Sequence, residues 1–160
     1  MSSQIEELLE EDQYDIYHNP DISDEAIEKI AGVFSYDQNV DFMEYFDFLK
    51  CSSKFCWINF LRIIEKMSFE EKIKGLPLLF ELLQDANWPA YKKAEQLLES
   101  FDKEFITPYY RKYLRQAYEE KDEMWIDNIE WLAEKLEIDI DNSEEKKHPK
   151  RLDDQCGLMK

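Results

Sequence analysis

The chain has 160 residues, of which 44% are hydrophobic and 14% aromatic, and its 37 acidic against 20 basic side chains leave a net charge of −17. This apolar content excludes a disordered chain, the length suits one core rather than two, and charge of this sign repels a phosphate backbone, which excludes a nucleic-acid groove. Three glycines and five prolines are too few for the turns of a sandwich or barrel, so the fold class is all-α.

The acidity is concentrated at the front. Residues 1–50 hold 14 acids and 2 bases, residues 51–100 hold 7 of each, and residues 101–160 hold 16 and 11. Residues 1–22 read as an acidic, polar lead carrying Glu6, Glu7, Glu10, Glu11, Asp12 and Asp15, interleaved with Tyr14 and Tyr17. Carboxylates steer a basic surface while tyrosine rings bury area, so these eight residues are candidates for contact with a basic protein partner. The run lacks the Asp-x-Asp-x-Asp-Gly order of a calcium loop and holds no histidine that would complete a di-iron pattern.

A single helical domain is expected over residues 23–141. Ser23 or Asp24 caps a first helix whose apolar face is Ile27, Ile30, Ala31 and Phe34. Phe42, Tyr45, Phe46 and Leu49 predict a second helix from Asn39 to about Lys50. Cys56, Trp57, Phe60, Ile63, Ile64 and Met67 form a stripe that predicts a third, from about Ser53 to Met67. Ser68-Phe69-Glu70-Glu71 has the capping-box form, and Pro77 predicts a break followed by a continuation to about Gln84.

The stretch Leu82-Leu83-Gln84-Asp85-Ala86-Asn87-Trp88-Pro89-Ala90 then reads as the hairpin of an antiparallel helix pair. In this reading Asp85 and Asn87 supply the turn and an N-cap. Pro89 opens the next helix, whose face is Ala90, Ala94, Leu97, Leu98 and Phe101, and Trp88 packs over the corner. Thr107-Pro108 predicts the start of a further helix along Tyr109, Tyr110, Tyr113, Leu114 and Ala117. Asp122 caps the last, with Trp125, Ile129, Leu132 and Leu136 inside. Residues 137–141 read as extended, and residues 142–160 as a flexible charged tail. The recurrence of helix pairs predicts a short α-solenoid or an irregular helical bundle.

Leu83-Gln84-Asp85-Ala86-Asn87-Trp88-Pro89, the proline in Leu76-Pro77-Leu78-Leu79, and Glu123-Met124-Trp125 resemble the pattern of an uncharacterised bacterial family, a domain of unknown function with a HEAT-like or armadillo-like helical fold. The likeness covers about residues 65–136, with Leu82 where the pattern carries a tryptophan. It implies a structural role for Asp85, Asn87, Trp88, Pro89 and Trp125. By genomic analogy it also implies an accessory or immunity protein of a bacterial toxin system.

The sequence carries no recognisable catalytic constellation. His18 and His148 fall in the polar ends, Cys51 and Cys56 do not have the spacing of a metal knuckle, and Cys156 leaves an odd number of thiols. No catalytic residue, metal or cofactor is assigned. The chain starts without a basic-then-apolar signal and contains no apolar run of the ~18 residues a membrane span needs, so a cytoplasmic, non-enzymatic interaction protein is the leading expectation. Two alternatives remain open at this stage: a ligand pocket near Trp88 and Trp125 lined by Asp85 and Asn87, and a scaffold whose acidity only solubilises it.

Overall fold

The computed structural model describes residues 4–37 and 39–138. They form an all-α bundle: α1 (Gln4–Leu9), α2 (Asp24–Tyr36), α3 (Trp57–Lys66), α4 (Phe69–Lys72), α5 (Leu76–Glu81), α6 (Tyr91–Glu99), α7 (Lys103–Glu119) and α8 (Glu123–Leu136). Helix α2 packs on α3, α3 on α6, α5 on both α6 and α7, and α8 on α6 and α7. There is no strand among the described residues. The residues from 139 onward, including the expected flexible tail, lie outside the described part.

The apolar periodicities mark the buried faces. Ile27, Ile30, Ala31 and Phe34 of α2, Phe60, Ile63 and Ile64 of α3, and Ala94, Leu97 and Leu98 of α6 meet in one core with Leu79, Phe80, Tyr110, Leu114, Ile129 and Leu132. Ser23 caps α2 by accepting the Ala26 amide at 3.1 Å, and Asp122 caps α8 by accepting that of Trp125 at 3.1 Å. At Pro77 the helix breaks as expected: α4 passes through a 3-10 turn, Ile73–Gly75, into α5, which carries Pro77 in its first turn.

Several boundaries differ from the sequence reading. Residues 39–50 form two 3-10 turns, Phe42–Glu44 and Phe48–Lys50, rather than a helix. Asp41 accepts the Met43 amide at 3.0 Å and Asp47 the Leu49 amide at 2.9 Å, so each carboxylate satisfies the backbone locally and stops propagation. Aromatic packing holds the segment instead: Phe46 stacks on Phe60 with ring centres 4.6 Å apart, and Phe42 and Phe46 meet Phe34 edge-on. Phe42 and Phe46 are buried, as their spacing required, but Leu49 is 94% exposed.

The third helix also begins later than expected, because Lys54–Cys56 is a 3-10 turn ahead of Trp57. Ser68 makes no side-chain cap, and Glu71 pairs with Lys74 at 3.2 Å instead of closing a capping box. Helix α7 starts at Lys103, not at Thr107-Pro108, and Pro108 sits inside it. The Thr107 hydroxyl donates to the Lys103 carbonyl at 2.7 Å, turning inward on the helix rather than capping it.

The first 22 residues do more than lead into the fold. Ile5 and Leu8 of α1, together with Ile16 and Ile22, are buried in the same core as the later helices. Four apolar side chains among so many carboxylates are enough to fix the segment, since each alternates with charge that stays in water.

Candidate functional site

The side chains that hold the N-terminal segment come from α3. Asn59, fully buried, donates from Nδ2 to the carbonyls of Ile16 at 3.0 Å and Asn19 at 2.8 Å. Three residues on, Arg62 donates to the Ile22 carbonyl at 2.7 Å and pairs with Asp24 at 2.7 Å. Residues 16–22 lie ahead of α2, so the carbonyls of Ile16, Asn19 and Ile22 have no partner within a helix, and these donors satisfy them. Asn59 was legible as a polar residue inside the apolar stripe of α3, but not the chain it would bind.

A second set of ties runs through tyrosines. Tyr17 donates its hydroxyl to the Tyr45 carbonyl at 2.6 Å, its ring lies edge-on to Phe60, and its own carbonyl accepts the Ser52 amide at 2.9 Å. Burial, aided by neighbouring Cys51, Tyr45, Asp47 and Asp15, pushes the Tyr17 hydroxyl well above the usual tyrosine range, so it stays a donor at any physiological pH. Tyr45 in turn donates to Glu6 at 3.2 Å. Burial likewise pushes the Cys51 thiol up to about 12, with Cys56 and Asp47 adding to it, which leaves no thiolate nucleophile there at neutral pH.

These contacts divide the candidate residues into two groups. Asp15 is committed to a turn: its Oδ1 accepts the amides of Tyr17 and His18, both at 3.2 Å, and the His18 ring lies 3.0 Å away. Tyr14 and Tyr17 are half-buried against the core, and Glu6 is engaged by Tyr45. Glu7, Glu10, Glu11 and Asp12 are exposed, and none meets a cation among the described residues. They form an acidic edge that the core holds in place from beneath.

A second surface feature is an aromatic strip. Phe48 and Trp57 stand 4.4 Å apart, Trp57 meets Trp88 at 5.2 Å and 88°, and Leu49 and Phe55 are 94% and 60% exposed. Lys50 lies 5.8 Å from the Tyr17 ring and Lys54 5.8 Å from that of Trp88. Exposed apolar side chains of this size were missed by the sequence reading, which placed Leu49 on a buried helical face.

The hairpin residues make the following contacts. Asp85 accepts the Asn87 amide at 2.8 Å, which makes the turn. Asn87 is exposed and caps nothing, and Pro89 lies in the turn before α6, whose N-cap is Ala90. Trp88 is half-buried and edge-on to Trp57. Trp125 is 1% exposed and donates its indole N–H to the Phe80 carbonyl at 2.9 Å, while Asn128 donates to Leu83 at 2.6 Å. These carbonyls flank the point where α5 tightens into the 3-10 turn Leu82–Gln84, so α8 supplies the donors that the end of α5 lacks. The donor of Trp125 is thus taken and its ring enclosed by the bundle.

With this hairpin, its supporting α8 and the surrounding helices in view, the chain can be set beside known families. A match to a domain of unknown function, DUF5071, spans residues 54–154, more than half of the chain. The chain belongs to this family. The DUF5071 region thus includes α3 to α8 and begins at Lys54, on the aromatic strip, while the acidic edge lies before it. No curated protein and no solved structure matches.

Two further features of the fold bear on chemistry. Glu95 of α6 is 5% exposed and pairs with Lys135 of α8 at 3.2 Å, with the Tyr91 hydroxyl at 3.4 Å; the carboxylate is buried and the lysine reaches it from the surface, tying two helices. An open cleft of about 460 Å³ is lined by Asn39, Asp41, Phe42, Glu71 and Lys74, in which Glu71 and Lys74 neutralise one another. Among the described residues no group of three or more His, Cys, Asp or Glu side chains is placed to hold a metal ion, and no helix is long and apolar enough to cross a membrane.

Proposed function

We propose that this protein is a non-enzymatic binding module whose fixed acidic edge engages a basic protein, in the role of an immunity or inhibitor protein that neutralises a cationic toxin. The observation that carries this reading is that Glu7, Glu10, Glu11 and Asp12 stand exposed and unmatched by any cation of the described residues, on a segment whose buried Ile5, Leu8 and Ile16 prevent it from drifting. A carboxylate cluster on a rigid support loses little conformational freedom on binding, so the attraction is retained as affinity. Its long-range field also accelerates encounter with an oppositely charged partner. The toxin-neutralising role rests on the family's genomic analogy, and the choice of a basic partner on charge.

The test is capture from the native host with the purified chain beside a variant carrying Glu7→Gln, Glu10→Gln, Glu11→Gln and Asp12→Asn. Glu6 and Asp15 are left unchanged because each is engaged within the fold. A basic protein retained by the native chain and lost by the variant supports the reading. Equal retention by both demotes the edge to a solubilising surface.

A further inference from the structure

Helix α8 carries two large apolar side chains that the bundle leaves uncovered. Met124 is 45% exposed and Trp131 is 52% exposed. They stand two helical turns apart on one helix, so they share a face to within about 20° and lie about 10 Å apart along it. The indole N–H of Trp131, unlike that of Trp125, meets no acceptor among the described residues. Exposed apolar side chains aligned on one face of a rigid helix, a tryptophan among them, have the composition of a binding anchor.

The charges around this face decide what fits it. On one side, Asn128 donates to the Leu83 carbonyl at 2.6 Å, and Lys135 lies 5.5 Å from the Trp131 ring while pairing with Glu95 at 3.2 Å and Glu99 at 3.6 Å, both of α6. Two carboxylates therefore take up the charge of that lysine. On the other side, Asp127 and Glu134 are exposed, at the helical spacings from Trp131 that make side chains neighbours. The surroundings of Trp131 are net negative. A second copy of this chain, itself at −17, would bring like charges together here, and an acidic peptide meets the same repulsion. We propose that the face of α8 carrying Met124 and Trp131 is a docking surface for a basic amphipathic helix of a partner protein. Apolar side chains two turns apart on such a helix match the spacing of Met124 and Trp131, and its lysines or arginines meet Glu134 and Asp127. A cation laid over the exposed indole adds a cation–π contact. This surface lies in the DUF5071 region, whereas the acidic edge precedes it, and the inference does not depend on that edge having a partner.

The experiment uses the full chain labelled with 5-fluorotryptophan and followed by fluorine NMR, in which its 4 tryptophans give separate signals and Trp131→Phe identifies the relevant one. The probe is a synthetic helical peptide with leucines on one face and lysines on the other, beside a peptide of the same pattern in which glutamate replaces lysine. The expected result is that the lysine peptide moves the Trp131 signal saturably and leaves those of Trp57, Trp88 and Trp125 in place, while the glutamate peptide moves none. By calorimetry, Trp131→Ala weakens binding of the lysine peptide about tenfold or more. Glu134→Lys weakens it at least severalfold, and because Glu134 is exposed this variant keeps the test valid even where Trp131→Ala melts lower. The variant with Glu7, Glu10, Glu11 and Asp12 neutralised binds the peptide as the native chain does at about 0.15 M salt, where charges beyond about 8 Å are screened. A Trp131 signal that stays still, that moves equally with the glutamate peptide, or that moves with protein concentration alone overturns the proposal. So does an affinity indifferent to Glu134→Lys, or binding abolished by the acidic-edge variant, which would place the peptide on that edge instead.

Discussion

The two halves of this bundle are built by different means. From α3 onward the chain makes helices whose apolar stripes pack on one another, and the irregular points are reinforced from a neighbouring helix, as α8 does for the end of α5 through Trp125 and Asn128. Before α3, apart from α1 and α2, the chain is made of short turns closed by its own carboxylates, Asp15, Asp41 and Asp47, and held by side chains reaching across from α3. The family match covers the first kind of structure and stops short of the second. The difference teaches that the acidic edge, though its apolar side chains enter the common core, has a fastening of its own in Asn59 and Arg62.

The sharpest way to break that comparison is to weaken each half separately. Trp125→Ala removes a buried ring and the donor to Phe80, and is expected to cost about 3–5 kcal/mol, seen as a cooperative loss of the whole bundle in denaturant unfolding. Asn59→Ala strips two carbonyls of their donors and is expected to cost about 1–3 kcal/mol. Its signature is local: hydrogen exchange accelerates over residues 4–22 while α5 to α8 keep their protection. Equal acceleration throughout would mean that the two halves form one cooperative unit.

Smaller effects sharpen the picture. Lys121, after α7, has a φ of 57°, in the left-handed region that glycine tolerates best. Lys121→Gly is expected to stabilise by about 0.5–1 kcal/mol in thermal unfolding. Burial raises the pKa of Glu81, against a weaker opposing pull from Lys112. A raised carboxylate stabilises the fold while protonated and loses that contribution as pH rises through its folded-state pKa. Glu81→Gln should therefore melt slightly higher than the native chain at pH 7, with the gap closing as pH falls through the carboxylate range; a constant gap would assign the effect to packing.

Much of the bundle was legible in the sequence because amphipathic periodicity reports burial directly: the faces of α2, α3, α6 and α8 lie where their spacing put them. The stretch from 39 to 50 was misread because its periodicity was real, while the deciding fact was the backbone chemistry of Asp41 and Asp47. The acidic cluster was visible as composition. What composition lacks is the fastening, since Asn59 and Arg62 contact carbonyls some forty residues earlier, and nothing in either local sequence announces the other. For the same reason Glu6 and Asp15 looked equivalent to Glu7 and Glu11, although the fold engages the first pair and leaves the second in water.

The most direct measurement is the affinity of the captured basic partner for the native chain and for the variant with Glu7, Glu10, Glu11 and Asp12 neutralised, titrated from low to high salt. The account predicts that the native affinity falls as the screening length shrinks from about 30 Å at 0.01 M to about 8 Å at 0.15 M, and that the variant binds about tenfold or more weakly at low salt with a flatter salt dependence. Identical affinities for the two chains, or a native affinity indifferent to salt, would contradict it.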